Sequence, residues 1–166
     1  MTHELARRLV EVLRQEEVIY VEVRELLTRE RSSLASLDAD GLDRAATEKA
    51  LRAQELEILE AARERLCREL GNALGIDEAL RLTLRELATA LGPEGAPLLE
   101  AQRTLRALVV SVKESSEANA TLAEQGLLGV RSTLASLGCA QPATGYGQRG
   151  VTEQLQSSGR ILRESA

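Results

Sequence analysis

The side chains of this chain that could do acid–base, nucleophilic or metal chemistry are one histidine, two cysteines and many carboxylates. His3 stands at what reads as the first turn of a helix, with no serine or cysteine pattern around it. A triad or a metal centre needs several convergent groups, so His3 reads as a solvated residue. A phosphotransfer bundle would carry its histidine exposed in mid-helix, and a di-iron bundle would carry Glu-x-x-His on two helices; neither is present. Cys67 and Cys139 are far apart and form no Cys-x-x-Cys, which leaves no zinc site and points to a reducing environment. Gly145-Tyr146-Gly147-Gln148-Arg149-Gly150 copies the glycine spacing of a dinucleotide-binding turn, but no strand precedes it, and the match is spurious. Glu16 and Glu17, or Glu55, Glu57 and Glu60, read as solvated helix faces with arginines at helical spacing, as in Glu60–Arg63 and Glu64–Arg68. Such pairs contribute about 0.2–0.5 kcal/mol each. No enzyme and no cofactor is expected. What remains is a protein that binds helices.

Long helices would position such a binding surface. Ala6, Leu13, Tyr20, Leu27 and Leu34 fall at heptad spacing, flanked by Leu5, Val12, Ile19 and Leu26 and by Leu9, Glu16, Val23, Glu30 and Leu37. Residues three and four apart share a helix face, so these columns form one stripe. It is broader than the two-column seam of a simple coiled coil and implies neighbours on more than one side. The chain has 30 leucines, no Phe or Trp, and only Tyr20 and Tyr146, whereas sheets draw on aromatic and β-branched residues. The expected fold is all-α: an antiparallel bundle of three long helices and one short, followed by a flexible C-terminal tail.

The first helix is expected from an N-cap at Thr2 to about Leu37, where Asp38-Ala39-Asp40-Gly41 breaks it. The second, expected to about Ala73 with Gly71 and Gly75 ending it, carries the columns Leu42, Lys49, Leu56, Arg63, Leu70 and Ala45, Arg52, Leu59, Leu66, Ala73. Its basic members narrow the apolar stripe while their stems still cover apolar surface. Asp77 is expected to cap a shorter helix reaching Leu91, with Gly92-Pro93-Glu94-Gly95 as a stop. A fourth segment, Ala96 to Leu137, has its stripe diluted by Ser111, Ser115, Ser116 and Asn119, and Gly126 and Gly129 suggest a kink or soft end. This places a helical bundle over residues 1–138. Residues 139–166 hold Pro142 and several glycines, with Val151, Leu155, Ile161 and Leu162 as apolar anchors, and read as a mobile tail able to form a short helix against a partner.

Charge excludes some partners. The chain carries 21 basic and 26 acidic residues, net −5, spread along its length, and no block is basic enough to neutralise a row of phosphates. Nucleic acid is not an expected partner. The apolar run Leu105 to Val112 is interrupted by Arg106 and far too short to span a bilayer, and the amino terminus has no apolar signal core. A soluble, cytoplasmic protein without membrane insertion is expected.

Leu26-Leu27-x-x-Glu30-Arg31 with Leu34 is followed by Asp38 through Leu42, Lys49, Asn119-x-x-Leu122, Leu127-Leu128, Val130, Leu134 and Leu137, and finally Tyr146-x-x-x-Gly150. In this order and layout the chain resembles the FlgN-type flagellar export chaperones. The chain departs from the pattern in its glycine-rich Gly71–Gly95 region and in a longer tail beyond Gly150. The resemblance implies a cytoplasmic chaperone that holds the C-terminal helices of hook-associated (hook–filament junction) proteins before type III export and brings them to the export gate. It also implies that Tyr146 serves docking at that gate.

For the stripe itself two readings stand. Leu122, Leu127, Leu128, Val130, Leu134 and Leu137 form either a groove for an amphipathic guest, with Leu155, Ile161 and Leu162 closing over it, or a face packed into the bundle. The competing function, from a different class, is a structural or adaptor coiled-coil protein that self-associates.

Overall fold

The computed structural model describes residues 1–76 and 83–138. Over these it is helical: α1 spans Thr2–Ser36, α2 Ala39–Ala73, α3 Leu84–Ala90 and α4 Ala96–Ser136, with a 3₁₀ turn at Gly92–Gly95 leading into α4. Three long helices and a short one are as expected. Two compact units are distinguished, Met1–Leu122 and Ala123–Ala166, and α4 contributes residues to both.

Within Met1–Leu122, α1 and α2 form an antiparallel hairpin joined through only Leu37 and Asp38. Leu37 takes a left-handed conformation, φ 56°, and its N–H returns to the Leu34 carbonyl, closing α1. The Asp38 carboxylate then accepts from the Gly41 N–H at 3.0 Å and caps α2. The break is therefore shorter than expected, because Asp38 starts the next helix and Ala39 to Gly41 form its first turn. A Cβ at Gly41 would meet that capping carboxylate and the Ser33 hydroxyl, so glycine lets the cap sit undisturbed at the corner. At the other end of α1, Thr2 is the first helical residue rather than the cap; the capping position is Met1, without a side-chain bond.

The core fills the end of the unit where α1 begins and α2 ends. Ala6, Leu9 and Leu13 of α1, Leu66, Cys67 and Leu70 of α2, Leu87 and Ala88 of α3, and Leu98 and Ala101 of α4 pack into one buried cluster. Leu5 and Val12 flank it and are only half-buried, as is Ile19 farther along the same column. Near the hairpin turn a second buried group forms, with Leu26, Leu27, Ala45 and Asn119. Since Leu98 and Ala101 join Ala6 and Leu9, while Asn119 reaches Leu27, α4 runs along α1 in the same direction.

The second helix ends at Ala73, as expected, with Gly71 buried inside it rather than at its end, whereas the start of the short helix differs from expectation. The described part of the short helix starts at Leu84 and is capped by Thr83, whose hydroxyl accepts from the Glu86 N–H at 3.3 Å while the Glu86 carboxylate accepts from the Thr83 N–H at 2.7 Å. This capping box was readable as Thr-x-x-Glu in the sequence; Asp77, the expected cap, lies outside the described residues. Gly95 then packs so closely on the Ala88 carbonyl that any side chain there would clash, which lets the 3₁₀ turn lie on α3. Gly126 and Gly129 interrupt nothing, since α4 is helical through both.

Candidate functional site

The carboxylates that read as solvated are in fact divided between surface and interior. Glu16 is 4% exposed. It accepts a hydrogen bond from Arg63 Nε at 3.1 Å, and Arg63 Nη2 donates to Glu60 at 3.1 Å. Burial pushes the Glu16 carboxyl above the usual range, with the Arg63 charge and hydrogen bond opposing it. Tyr20, one turn along, is pushed up as well, first by burial and then by the charges of Glu16 and Glu60. Glu64 and Arg68 do not form the expected carboxylate pair; Arg68 Nε donates to the Glu64 backbone carbonyl at 3.4 Å. His3 is exposed, as expected of it, and faces Glu94 across to the 3₁₀ turn.

A second polar cluster lies near the hairpin turn and joins three helices. Lys49 Nζ on α2 donates to Glu30 Oε1 on α1. Asn119 Nδ2 on α4 donates to Glu30 Oε2 at 3.0 Å and to the Leu27 carbonyl at 2.8 Å. Burial alone would raise the Glu30 carboxyl, but the hydrogen bonds from Lys49 and Asn119, with the Lys49 charge, outweigh it and hold it below the ordinary value. Asn119 is 4% exposed, so its side chain is committed to α1. Glu30, Lys49 and Asn119 were singled out in the sequence separately; the structure brings them to one point.

The two clusters share a geometry that the heptad columns already contained. The column Leu9, Glu16, Val23, Glu30 of α1 runs against Leu70, Arg63, Leu56, Lys49 of α2, and each charged position on one helix meets an opposite charge on the other. The basic residues that narrow the α2 stripe are there because the facing column carries glutamates. Sequence reading missed this because it took each column alone; aligning the two antiparallel columns would have found it. Buried polar partners at defined heptad positions set register.

In Ala123–Gly138 the pattern is different. Leu127 is 51% exposed, Leu128 64%, Val130 45%, Leu134 44% and Leu137 70%. With Ala123, the residues Leu127, Val130, Leu134 and Leu137 alternate steps of four and three and so share one helix face. The reading in which this stripe is sealed in a bundle core does not hold for residues 127–137; Leu122, in the other unit, is half-buried. Tyr146, Gly150, Leu155, Ile161 and Leu162 lie outside the described residues. A further apolar hollow, not foreseen, opens between α1 and α2, where Val18 is 60% and Ile58 70% exposed beside Gln15, Ile19, Glu55 and Leu59.

Among the described residues no group of three or more His, Cys, Asp or Glu side chains is placed to hold a metal ion. Cys67 is buried, and burial pushes its thiol up, away from the reactive thiolate. No helix among the described residues is long and apolar enough to cross a membrane. The arrangement is one of helix-fastening polar clusters and exposed leucine faces.

No curated protein and no solved structure matches the chain. The family model described as FlgN protein matches residues 1–154, which takes in all four helices and the segment carrying Tyr146 and Gly150. With a match over most of its length, the chain belongs to the FlgN family of flagellar chaperones.

Proposed function

We propose that this protein is a cytoplasmic chaperone of type III flagellar export that holds the C-terminal helices of hook-associated (hook–filament junction) proteins and brings them to the export gate. The observation that supports the reading best is the exposed face of Leu127, Val130, Leu134 and Leu137. An amphipathic guest helix presenting its own apolar residues at steps of three and four would fit that face. The mechanism is mass action: a guest helix held here is withheld from aggregation and from premature assembly. No bond is made or broken. Leu122 and Leu128 extend the face, Leu155, Ile161 and Leu162 close over the guest, and Asn119 fastens the preceding part of α4 to its unit. Tyr146 and Gly150 serve docking at the gate, a role that suits a tyrosine because interfaces favour its large, rigid, amphipathic ring.

Titration with C-terminal fragments of hook-associated proteins tests this. A complex with a dissociation constant on the order of tens of micromolar or tighter is expected, and its absence would reject the reading. Tyr146→Ala should weaken gate binding while guest binding and the far-UV helical signal stay unchanged. The competing reading, a structural coiled-coil protein that self-associates, finds an observation in the exposed Val18 and Ile58. Sedimentation across a range of concentrations separates the two, since a stable oligomer favours self-association.

A further inference from the structure

The exposed apolar face at the end of α4 is complementary to itself. Ala123, Leu127, Val130 and Leu134 are spaced by four, three and four residues, a series that reads the same from either end. Two copies laid antiparallel therefore stack all four positions. Ala123 meets the partner's Leu134, Leu127 meets the partner's Val130, and a twofold axis repeats both pairs. The helix gains from such a neighbour, because every residue from Leu127 to Gly138 is exposed. A helical end of that length, holding Gly126 and Gly129, is marginal unless its apolar face is covered.

Charge selects this arrangement. Between Ala123 and Gly138 the chain has two charged residues, Glu124 and Arg131, seven apart on one edge of the seam. Both are exposed, and neither has an ion-pair partner among the described residues. One heptad separates them by roughly 10 Å along the helix, too far for them to pair with each other. In the antiparallel register each Glu124 falls opposite the partner's Arg131, twice by symmetry. The other edge sets Gly126 opposite the partner's Thr133, small and uncharged, with open space above the glycine. A parallel pair would place Arg131 against glycine and leave both charges unanswered. Sliding the antiparallel pair by one heptad brings Arg131 against Arg131 or Glu124 against Glu124. We propose that the Ala123–Leu134 face of α4 is an antiparallel, twofold-symmetric interface between two copies of this chain. Its four layers bury little area, so the dimer is reversible. Copy and guest would exclude each other on this face, a consequence that rests on the reading of the face as the guest site.

Sedimentation of the full chain over a range of concentrations tests this without any guest, so the outcome is independent of whether hook-associated proteins bind. The native chain should show a monomer–dimer equilibrium. Glu124→Arg sets cations opposite each other and Arg131→Glu sets carboxylates opposite each other, so each should weaken the dimer about tenfold or more. The double reversal should restore it. Mixing the two single variants in equal amounts should restore it too, because their heterodimer again carries opposite charges at both sites. Both positions are exposed, so the helical signal of the monomer should not change. A chain that is monomeric at every concentration overturns the proposal. So does a dimer that neither reversal weakens, as one formed through Val18 and Ile58 would be, or one that mixing fails to restore.

Discussion

Glu30 and Asn119, 89 residues apart in the chain, meet at 3.0 Å where α4 lies against α1. The same carboxylate takes the Lys49 ammonium with its other oxygen. One side chain therefore holds three helices, and it does so at the end of the unit farthest from the leucine core. There the buried apolar residues are few, being Leu26, Leu27 and Ala45. Where apolar burial is thin, the direction and register of α4 depend on polar contacts, and removing a buried partner leaves the others unsatisfied.

Asn119→Ala is expected to destabilise Met1–Leu122 by about 1–3 kcal/mol, since it strips Glu30 Oε2 and the Leu27 carbonyl of their donor. Asn119→Asp should cost more near neutral pH than in acid, because it sets a second carboxylate against Glu30. Urea denaturation followed by circular dichroism reads both; an Asp variant insensitive to pH would contradict the assignment.

Glu30 and Glu16 should give opposite pH dependences. The Glu30 carboxyl is held below its ordinary 4.5 in the folded state, so its contribution is complete above that pH and is lost as pH falls through the lower folded value. The Glu16 carboxyl is raised above 4.5, so folding carries a penalty at neutral pH that is relieved as pH falls through the raised value. Glu30→Gln should therefore remove part of the acid loss of stability, and Glu16→Gln should flatten the decline on the neutral side. Urea midpoints measured across the acid-to-neutral range check the two signs.

Arg63→Ala should cost about 3–5 kcal/mol, because it leaves Glu16, 4% exposed, buried without its cation. The loss should shrink in acid, where the carboxyl is neutral. Glu16→Leu combined with Arg63→Leu should recover most of it, since apolar replacement of a buried pair is often neutral or stabilising. A double variant as unstable as Arg63→Ala would show that the pair does more than satisfy its own charges.

Leu9→Ala and Leu134→Asp should separate fold from function. Leu9 has no exposed surface and lies in the leucine cluster, so its truncation is expected to cost about 2–5 kcal/mol. Leu134 is 44% exposed, so a charge there should change stability by little while weakening a bound guest helix about tenfold or more. Thermal unfolding and guest titration on the two variants read the contrast.

The helical class, the three long helices and the short one, and the order of the elements follow from heptad spacing and leucine content, because periodicity states directly which side of a helix must be covered. The Thr83–Glu86 capping box and the facing charges of Glu16 with Arg63 and Glu30 with Lys49 were also present in the sequence, as local spacing and as complementary columns. Periodicity alone could not say which stripes are covered. Leu9 and Leu70 and the pair Leu127 and Leu134 look alike as members of apolar columns, yet the first two are sealed and the second two are exposed. Only packing decided this, because burial depends on what another helix brings opposite, and that is a property of three-dimensional neighbours rather than of spacing. For the same reason Asn119, which as sequence only dilutes a stripe, became a fastening between α1 and α4: its value comes from Leu27 and Glu30, to which nothing local in the chain connects it.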